Sequence, residues 1–313
     1  MTTSLDIKRY SNTRKTEWND LILNSKNGTF LFHRDYMDYH QDRFTDHSLM
    51  IESSNKVVAV FVANESDQII QSHGGLSYGG LIYTTKLRTK DVLEILEAII
   101  AYYKGKGFKE LYYKSVPEIY HSYPSAEDRY ALFKKGAELY RRDVSSTIDL
   151  DNKLKLSKGR KWLLARAKKN NITVQESQDF EGFFSHYNTY LKNRYGVGAV
   201  HNVEEMKLLR SRFPENIKYI SASIDDEFLG GTILYCTPKV IHAQYIHFSE
   251  QGKEVGAFDL TMSKILEEYQ DRKYFDFGIS TEQDGQYLNE GLISFKESFG
   301  ARATLCDFYK IKL

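Results

Sequence analysis

The order in which strand-like and helix-like patterns follow one another constrains this chain more than any single motif, because one order occurs twice. In the first half, Asp35 to Arg43 opens on a capping residue and carries Tyr36, Met37, Tyr39 and His40 at helical spacing. HSLMIES and KVVAVFVAN then read as strands joined by Ser53, Ser54 and Asn55, and QIIQSHGGLSYGGLIY as a third strand interrupted by paired glycines. Between Lys90 and Lys104, Val92, Ile95, Leu96, Ile99 and Ile100 form one helical stripe, which leads past Gly105 and Gly107 into the strand KELYYKSV. The second half repeats the order. A basic helix at Gly159–Lys169, with Trp162 and Leu163 turned inward, and helices at Asp179–Tyr195 and Val203–Phe213 precede the strands KYISASID, FLGGTILYCT and KVIHAQYIHF. A helix over Phe258–Tyr269, the strand KYFDFGI and a final strand TLCDFYKIKL follow. Each half thus sets an antiparallel meander before a helix and a further strand. That plan predicts an α/β (α+β) chain of two tandem domains, with mixed central sheets flanked by helices. No residue-by-residue repeat accompanies it, so the duplication rests on element order. The polar stretch Asp149–Leu156 sets the expected boundary between domains 1–150 and 151–313.

Composition agrees with two packed cores and excludes several partners. The 313 residues are 41% hydrophobic and 27% charged with 4 Pro and 20 Gly, which is globular composition without a low-complexity tract. Lys plus Arg number 43 against 42 Asp plus Glu, so no overall basic field exists to hold DNA, and a phosphate-bearing ligand must meet a local cluster. Cys236 and Cys306 lack CxxC spacing and sit in the strand-like runs TILYCT and ATLCDFY, which predicts two buried core thiols. The opening MTTSLDIKRYSNTRKTEWND has no apolar leader core, and no segment approaches the roughly 18 consecutive apolar residues of a membrane span, so a cytoplasmic location is expected. The 23 Tyr and 18 Phe suit strand-rich cores and sugar-stacking surfaces alike. No HExxH or GxxxxGK[ST] pattern occurs, which removes metal catalysis and nucleotide hydrolysis.

The segment KYFDFGISTEQDGQYLNEGLISFKESFGAR carries an aromatic-Asp-Phe-Gly strand end (Phe275, Asp276, Phe277, Gly278), then Gly291 and Leu292, the pair Phe295 and Lys296, and Phe299 with Gly300. In that order and spacing the chain resembles the FemAB family and the related acetyltransferases encoded with surface-polysaccharide genes, within the GNAT superfamily. The resemblance extends over Asn27–His40, Ser72–Gly80 and Glu204–Ile233, nearly the whole chain. It implies twin GNAT-like acyl-coenzyme A N-acyltransferase domains. In the better-known branch such proteins pass an amino acid from aminoacyl-tRNA to a peptidoglycan precursor. The helical coiled-coil arm of some members is not seen here, since no stretch sustains heptads.

Acyl transfer to an amine requires a neutral amine, a polarised carbonyl and a donor or cation for the oxyanion. Lys296 matches the lysine of the family's Phe-Lys pair, and the resemblance gives it the oxyanion or a donor phosphate; the plainer reading is a solvated helix residue. Asp276 ends an apolar strand, where ligand crevices open in α/β sheets, and can orient the acceptor amine or take its proton, or merely cap the following loop. Glu282 and Asp284 are alternative bases. For the donor pyrophosphate the stretch SEQGKEVGAFDL offers Gln251, Gly252, Gly256 and Ala257, although an ordinary strand-to-helix turn explains those glycines as well. Arg194, with Tyr195 and Gly196, resembles the family's acceptor-side arginine region, and a guanidinium fork suits a diphosphate. Tyr39 and His40, in a polar-aromatic cluster, and Phe295 complete the acceptor contacts, with the glycine-rich stretch His73–Gly80 as a wall. The expected reaction is acyl, chiefly acetyl, transfer from acetyl-coenzyme A to an amino sugar on a nucleotide or lipid diphosphate, without a metal or a covalent enzyme intermediate and with peripheral membrane contact allowed. Aminoacyl-tRNA as donor is the alternative within the family. A non-catalytic scaffold that binds a glycan or a partner protein is the alternative of another class.

Overall fold

The computed structural model describes residues 5–313; residues 1–4, where the opening segment begins, lie outside the described residues. The chain divides into two compact units. One comprises the chain up to Val144 together with 281–288 and 304–313; the other comprises Ser145–Ser280 and Asn289–Ala303.

In the first unit four strands, Leu5–Arg9, Leu49–Ser53, Lys56–Val62 and Gly80–Tyr83, pair antiparallel in that order. Ile69–Gln71 lies elsewhere, parallel to Glu110–Lys114 and antiparallel to Asn64–Ser66. The predicted single strand from Gln68 to Tyr83 is therefore two strands in two sheets. Its glycines mark a loop, 72–79, by which the chain leaves one sheet for the other, rather than a bulge within one strand. Helix Thr89–Gly105 forms as its stripe predicts: Val92, Ile95, Leu96, Ile99 and Tyr103 are buried at three- and four-residue spacing, and the Asp91 carboxylate accepts the Arg88 N–H (2.8 Å) at its start. Each such buried aliphatic side chain contributes about 1.5–3 kcal/mol.

The second unit has its own core and a mixed sheet. Ile172–Glu176, Ile217–Ile224, Glu227–Cys236 and Val240–Phe248 run antiparallel in order; Val240–Phe248 then lies parallel to Tyr274–Ile279, whose other edge meets Ser145–Asp149 antiparallel. A parallel pair needs a crossover, and helix Ala257–Glu268 supplies it, burying Phe258, Met262 and Ile265 against the sheet. Helix Phe180–Tyr195 starts where the Asp179 carboxylate accepts the Gly182 N–H (2.9 Å), and helix Val203–Arg212 where Asn202 and Glu205 form a reciprocal capping box. Both units thus build sheets flanked by helices, the α/β architecture predicted. Two details differ. Trp162, expected inside, is 61% exposed, because helix Lys158–Ala167 buries only Ala167 fully and turns its half-buried stripe of Arg160, Leu163 and Leu164 inward. Cys236 is buried and its thiol is pushed up to about 12 by that burial, whereas Cys306 is only half-buried, on a strand whose flanking Leu305 is exposed.

Candidate active site

The parallel pair of the second unit is short. Val240, Ile241 and His242 sit opposite Tyr274, Phe275 and Asp276, and the pairing ends there although the strands continue to Phe248 and Ile279. Two irregularities part them. Ala243 and Tyr245 face consecutive residues of the neighbouring strand, Leu234 and Ile233, so Gln244 is an extra residue, a bulge that bends its strand. Beyond Asp276 the other strand also shifts register, and Gly278 takes a φ of +79°, a left-handed conformation that a Cβ would strain. Where strands part, backbone amides lose their ladder partners and must find others.

Lys296 supplies such a partner. It sits near the end of helix Glu290–Glu297, which starts where the Asn289 side chain accepts the Leu292 N–H (2.9 Å). Its side chain is 5% exposed, and Nζ donates to the carbonyl oxygens of Gly278 (2.8 Å) and Ile279 (2.7 Å). Two of the three ammonium N–H bonds are thereby fixed. Burial pushes this amine down to about 8, against an opposing pull from the nearby Asp276 charge. Lys296 is thus a buried cation at the fork of two strands, not a solvated helix residue.

Asp276 is buried and surrounded by donors. Oδ1 accepts from the Ser145 hydroxyl, the Thr147 hydroxyl (3.4 Å) and the Gly278 N–H (3.1 Å); Oδ2 accepts from His242 Nδ1 (3.0 Å). Burial alone would raise the carboxyl, but the His242 and Ser145 hydrogen bonds outweigh it and hold Asp276 below the usual carboxylate range. An ionised carboxylate can only accept, so Nδ1 of His242 carries a proton, and in the neutral form of the ring Nε2 presents its lone pair. A Cβ at position 278 would stand 3.3 Å from His242 Cε1, which places the free edge of the imidazole beside Gly278. His242 was missed in the sequence. The signal available was the matched apolar-apolar-polar triplets Val240-Ile241-His242 and Tyr274-Phe275-Asp276, which become informative once the strands are known to be parallel and in that register.

The other sequence-predicted residues are distributed. Phe295 packs against Phe258 (5.3 Å between centroids) and Phe299 (5.6 Å), with the Arg160 guanidinium 4.5 Å above its ring, and so joins the core beneath Lys296's helix. Arg194 and Tyr195 end helix Phe180–Tyr195, exposed; the Arg194 guanidinium and the Lys253 ammonium, the latter ion-paired with Glu250 (2.6 Å), each lie 5.9 Å from the Tyr190 ring centre, and the guanidinium is able to meet a diphosphate. Beside them burial pushes His247 down to about 4. Tyr39 and His40 belong to the first unit, ring against ring at 4.3 Å, with Phe44 and His73 packed on His40. Asp284, also of the first unit, pairs with Arg141 (2.7 Å), and Glu282 is exposed.

The donor-loop residues are engaged within the chain. Gln251 and Gly252 lie in a short helix, Glu250–Glu254, whose N-cap Ser249 accepts the Gly252 N–H (3.0 Å), while the Gly256 N–H donates to the Lys253 carbonyl (3.2 Å) and Ala257 is fully buried. Gly256 has a φ of +80°, and a Cβ there would come within 2.4 Å of the Leu163 carbonyl oxygen. Gly256→Ala is accordingly expected to cost roughly 2–4 kcal/mol of stability, measured as a lower melting temperature of the ligand-free chain. An unchanged melting temperature would return Gly256 to a purely ligand-binding role. Among the described residues no group of three or more His, Cys, Asp or Glu side chains is placed to hold a metal ion, and no helix is long and apolar enough to cross a membrane.

Comparison with known proteins fits this geometry. Residues 152–287 match the family model of the acetyltransferase (GNAT) domain. The chain thus carries a GNAT-type acetyltransferase domain over those residues, its mixed sheet forked at a parallel pair. Its whole-chain fold is FemAB-like: the crystal structure of FemX superposes with a TM-score of 0.69 over 98% of this chain and 97% of that one, at 9% identity. A tandem GNAT protein from the clavulanic acid biosynthesis pathway gives 0.52 over 99% and 98%, at 12% identity. The C-terminal domain of a protein assigned as a lysylphosphatidylglycerol synthetase in Agrobacterium fabrum gives 0.59 over 88% and 90%, also at 12%. At these identities the likeness is one of fold. No curated protein matches the sequence.

Proposed function

We propose that the chain transfers an acyl group from acyl-coenzyme A to the amino group of an amino sugar or cell-envelope glycan precursor, with the chemistry at the strand fork of the C-terminal, 151–313 half. The observation that carries the reading is the conjunction at the fork of an oriented His242, a positioning Asp276 and a buried Lys296. His242 Nε2 takes the proton of the acceptor amine as it attacks the acyl carbonyl; Asp276 holds the imidazole in the required tautomer. The ammonium of Lys296 faces the negative charge that develops on the carbonyl oxygen. As the tetrahedral adduct collapses, the C–S bond breaks, the thiolate leaves, and the proton held by His242 neutralises it. Arg194, with Lys253 beside it, takes the diphosphate, and the gap between the parted strands takes an extended amide chain such as the pantetheine arm.

A second donor, aminoacyl-tRNA, is favoured by one observation: the N–H groups of Gly252 and Gly256 are already bonded within the chain, so the turn offers no open row of amides to a pyrophosphate. Melting curves with acetyl-coenzyme A, with coenzyme A and with neither separate the two. Binding at 100 times Kd stabilises by about 2.7 kcal/mol, a shift of several degrees. No shift and no turnover with acetyl-coenzyme A, together with turnover on charged tRNA, would replace the donor and keep the centre. No turnover with either would sink the enzymatic reading of the fork.

A further inference from the structure

Although the whole chain is charge-balanced, the stretch between Asp151 and Glu176 is not. It holds Lys153, Lys155, Lys158, Arg160, Lys161, Arg166, Lys168 and Lys169 and no acidic residue. Arg160 is used internally, bonded to Asp259 and Ser298. The other seven are exposed, and among the described residues none of the seven has an acidic partner within ion-pair distance. They do not stand alone. On helix Lys158–Ala167 and the turn that follows, Lys158, Trp162, Arg166 and Lys169 recur at four, four and three residues, so they share one stripe, flanked by Lys161. Trp162 is 61% exposed in the middle of that stripe, and Leu154, just before the helix, is 48% exposed.

A second feature adjoins it. An apolar cavity of about 210 Å³ is lined by Leu154, Leu156 and Leu164 of this segment and by Met262, Leu266 and Phe299, with Lys153 also at its wall. Its acidic members are occupied, Asp259 by Arg160 and Glu267 by the Ser263 hydroxyl (3.0 Å). Among the described residues the seven cations have no carboxylate partner, and Lys153 alone of them is held by a carbonyl, that of Leu266 (3.2 Å), so they suit an anionic partner. Two exposed apolar side chains and an apolar cavity beside them have no use against the phosphodiester backbone of a nucleic acid, but they match a surface whose anionic headgroups overlie hydrocarbon.

We infer that Lys153–Lys169 is a docking face for an anionic lipid surface: Trp162 enters the headgroup boundary, the surrounding cations meet lipid phosphates, and the cavity takes up part of one acyl chain. This is independent of the acyl-transfer reading. The two tryptophans make the test direct, since Trp18 is 0% exposed and only Trp162 can report a change of solvent. The full chain is sedimented with vesicles of phosphatidylcholine alone and with vesicles containing phosphatidylglycerol. Partition to the second kind only, weakened by salt, with a blue shift of tryptophan emission that Trp162→Phe abolishes, is expected. The exposed triple variant Lys161→Glu, Arg166→Glu, Lys169→Glu, checked for an unchanged melting curve, should lose at least about tenfold in partition, given about one kcal/mol per cation. Failure of the native chain to partition onto phosphatidylglycerol, or partition that the triple variant leaves intact, overturns the proposal. Retention of RNA by a chain that ignores both vesicles would also overturn it and give the face to nucleic acid.

Discussion

His242→Ala is expected to slow acyl transfer by about 10²–10⁴-fold, with the acceptor KM changed far less than kcat. The reason lies in the proton inventory of the fork. The amine must lose a proton as it attacks, and Asp276 is poorly suited to take it: Ser145, Thr147, Gly278 and His242 all donate to its two oxygens, and together they hold it ionised below the usual carboxylate range. A carboxylate so well satisfied is a weak base, whereas the imidazole it orients directs Nε2 away from it as the remaining acceptor. Asp276→Asn tests the same logic from the other side. Its amide can donate to Nδ1, which moves the imidazole proton to Nε2 and removes the base without emptying the site. The two single losses and the double loss should therefore be of similar size, since the residues act as a unit. Added imidazole should restore part of the activity to His242→Ala and none to Asp276→Asn. Wild-type rates in both variants would move the chemistry away from the fork.

What the sequence disclosed and what it concealed divide along a physical line. Periodicity is a local property, and the elements it governs were legible: the stripe of Val92, Ile95, Leu96 and Ile99 and the strand runs around Ile233 and Ile241 form where the pattern placed them. Trp162 was misread because a large apolar residue on a helix suggests an inward face, yet the helix carries cations on most of its circumference and buries only Ala167 fully, too narrow a stripe to include it. The segment from Gln68 to Tyr83 was misread because paired glycines look alike whether they bulge a strand or release the chain to another sheet. The candidate site depends on register between strands 34 residues apart, where His242 meets Asp276. No window of sequence contains that pairing. Lys296 was visible as a residue, but its burial was not, because its acceptors are two carbonyls exposed only where the strands part.

Lys296→Met should lower kcat by about 10²–10³-fold, the loss typical of one oxyanion donor, and the pH dependence identifies the charge as the cause. Burial pushes the amine from 10.5 down to about 8, so the ammonium is present below pH 8 and is lost as pH rises through it. The wild-type rate should decline above about pH 8. Lys296→Arg, whose guanidinium stays charged, should show a lower rate without that decline. Stability moves the opposite way. A lysine with a depressed folded pKa binds fewer protons folded than unfolded between about 8 and 10.5, so the burden of the buried charge is fully present below pH 8 and is released as pH climbs through that window. Melting temperatures of wild type relative to Lys296→Met should therefore rise between pH 8 and 10, over the range in which the wild-type rate falls. Opposite signs exclude unfolding at the fork as the explanation for lost activity. If the alkaline decline persists unchanged in Lys296→Arg, the titrating group is another one, and Lys296 serves only to tie down the carbonyls of Gly278 and Ile279.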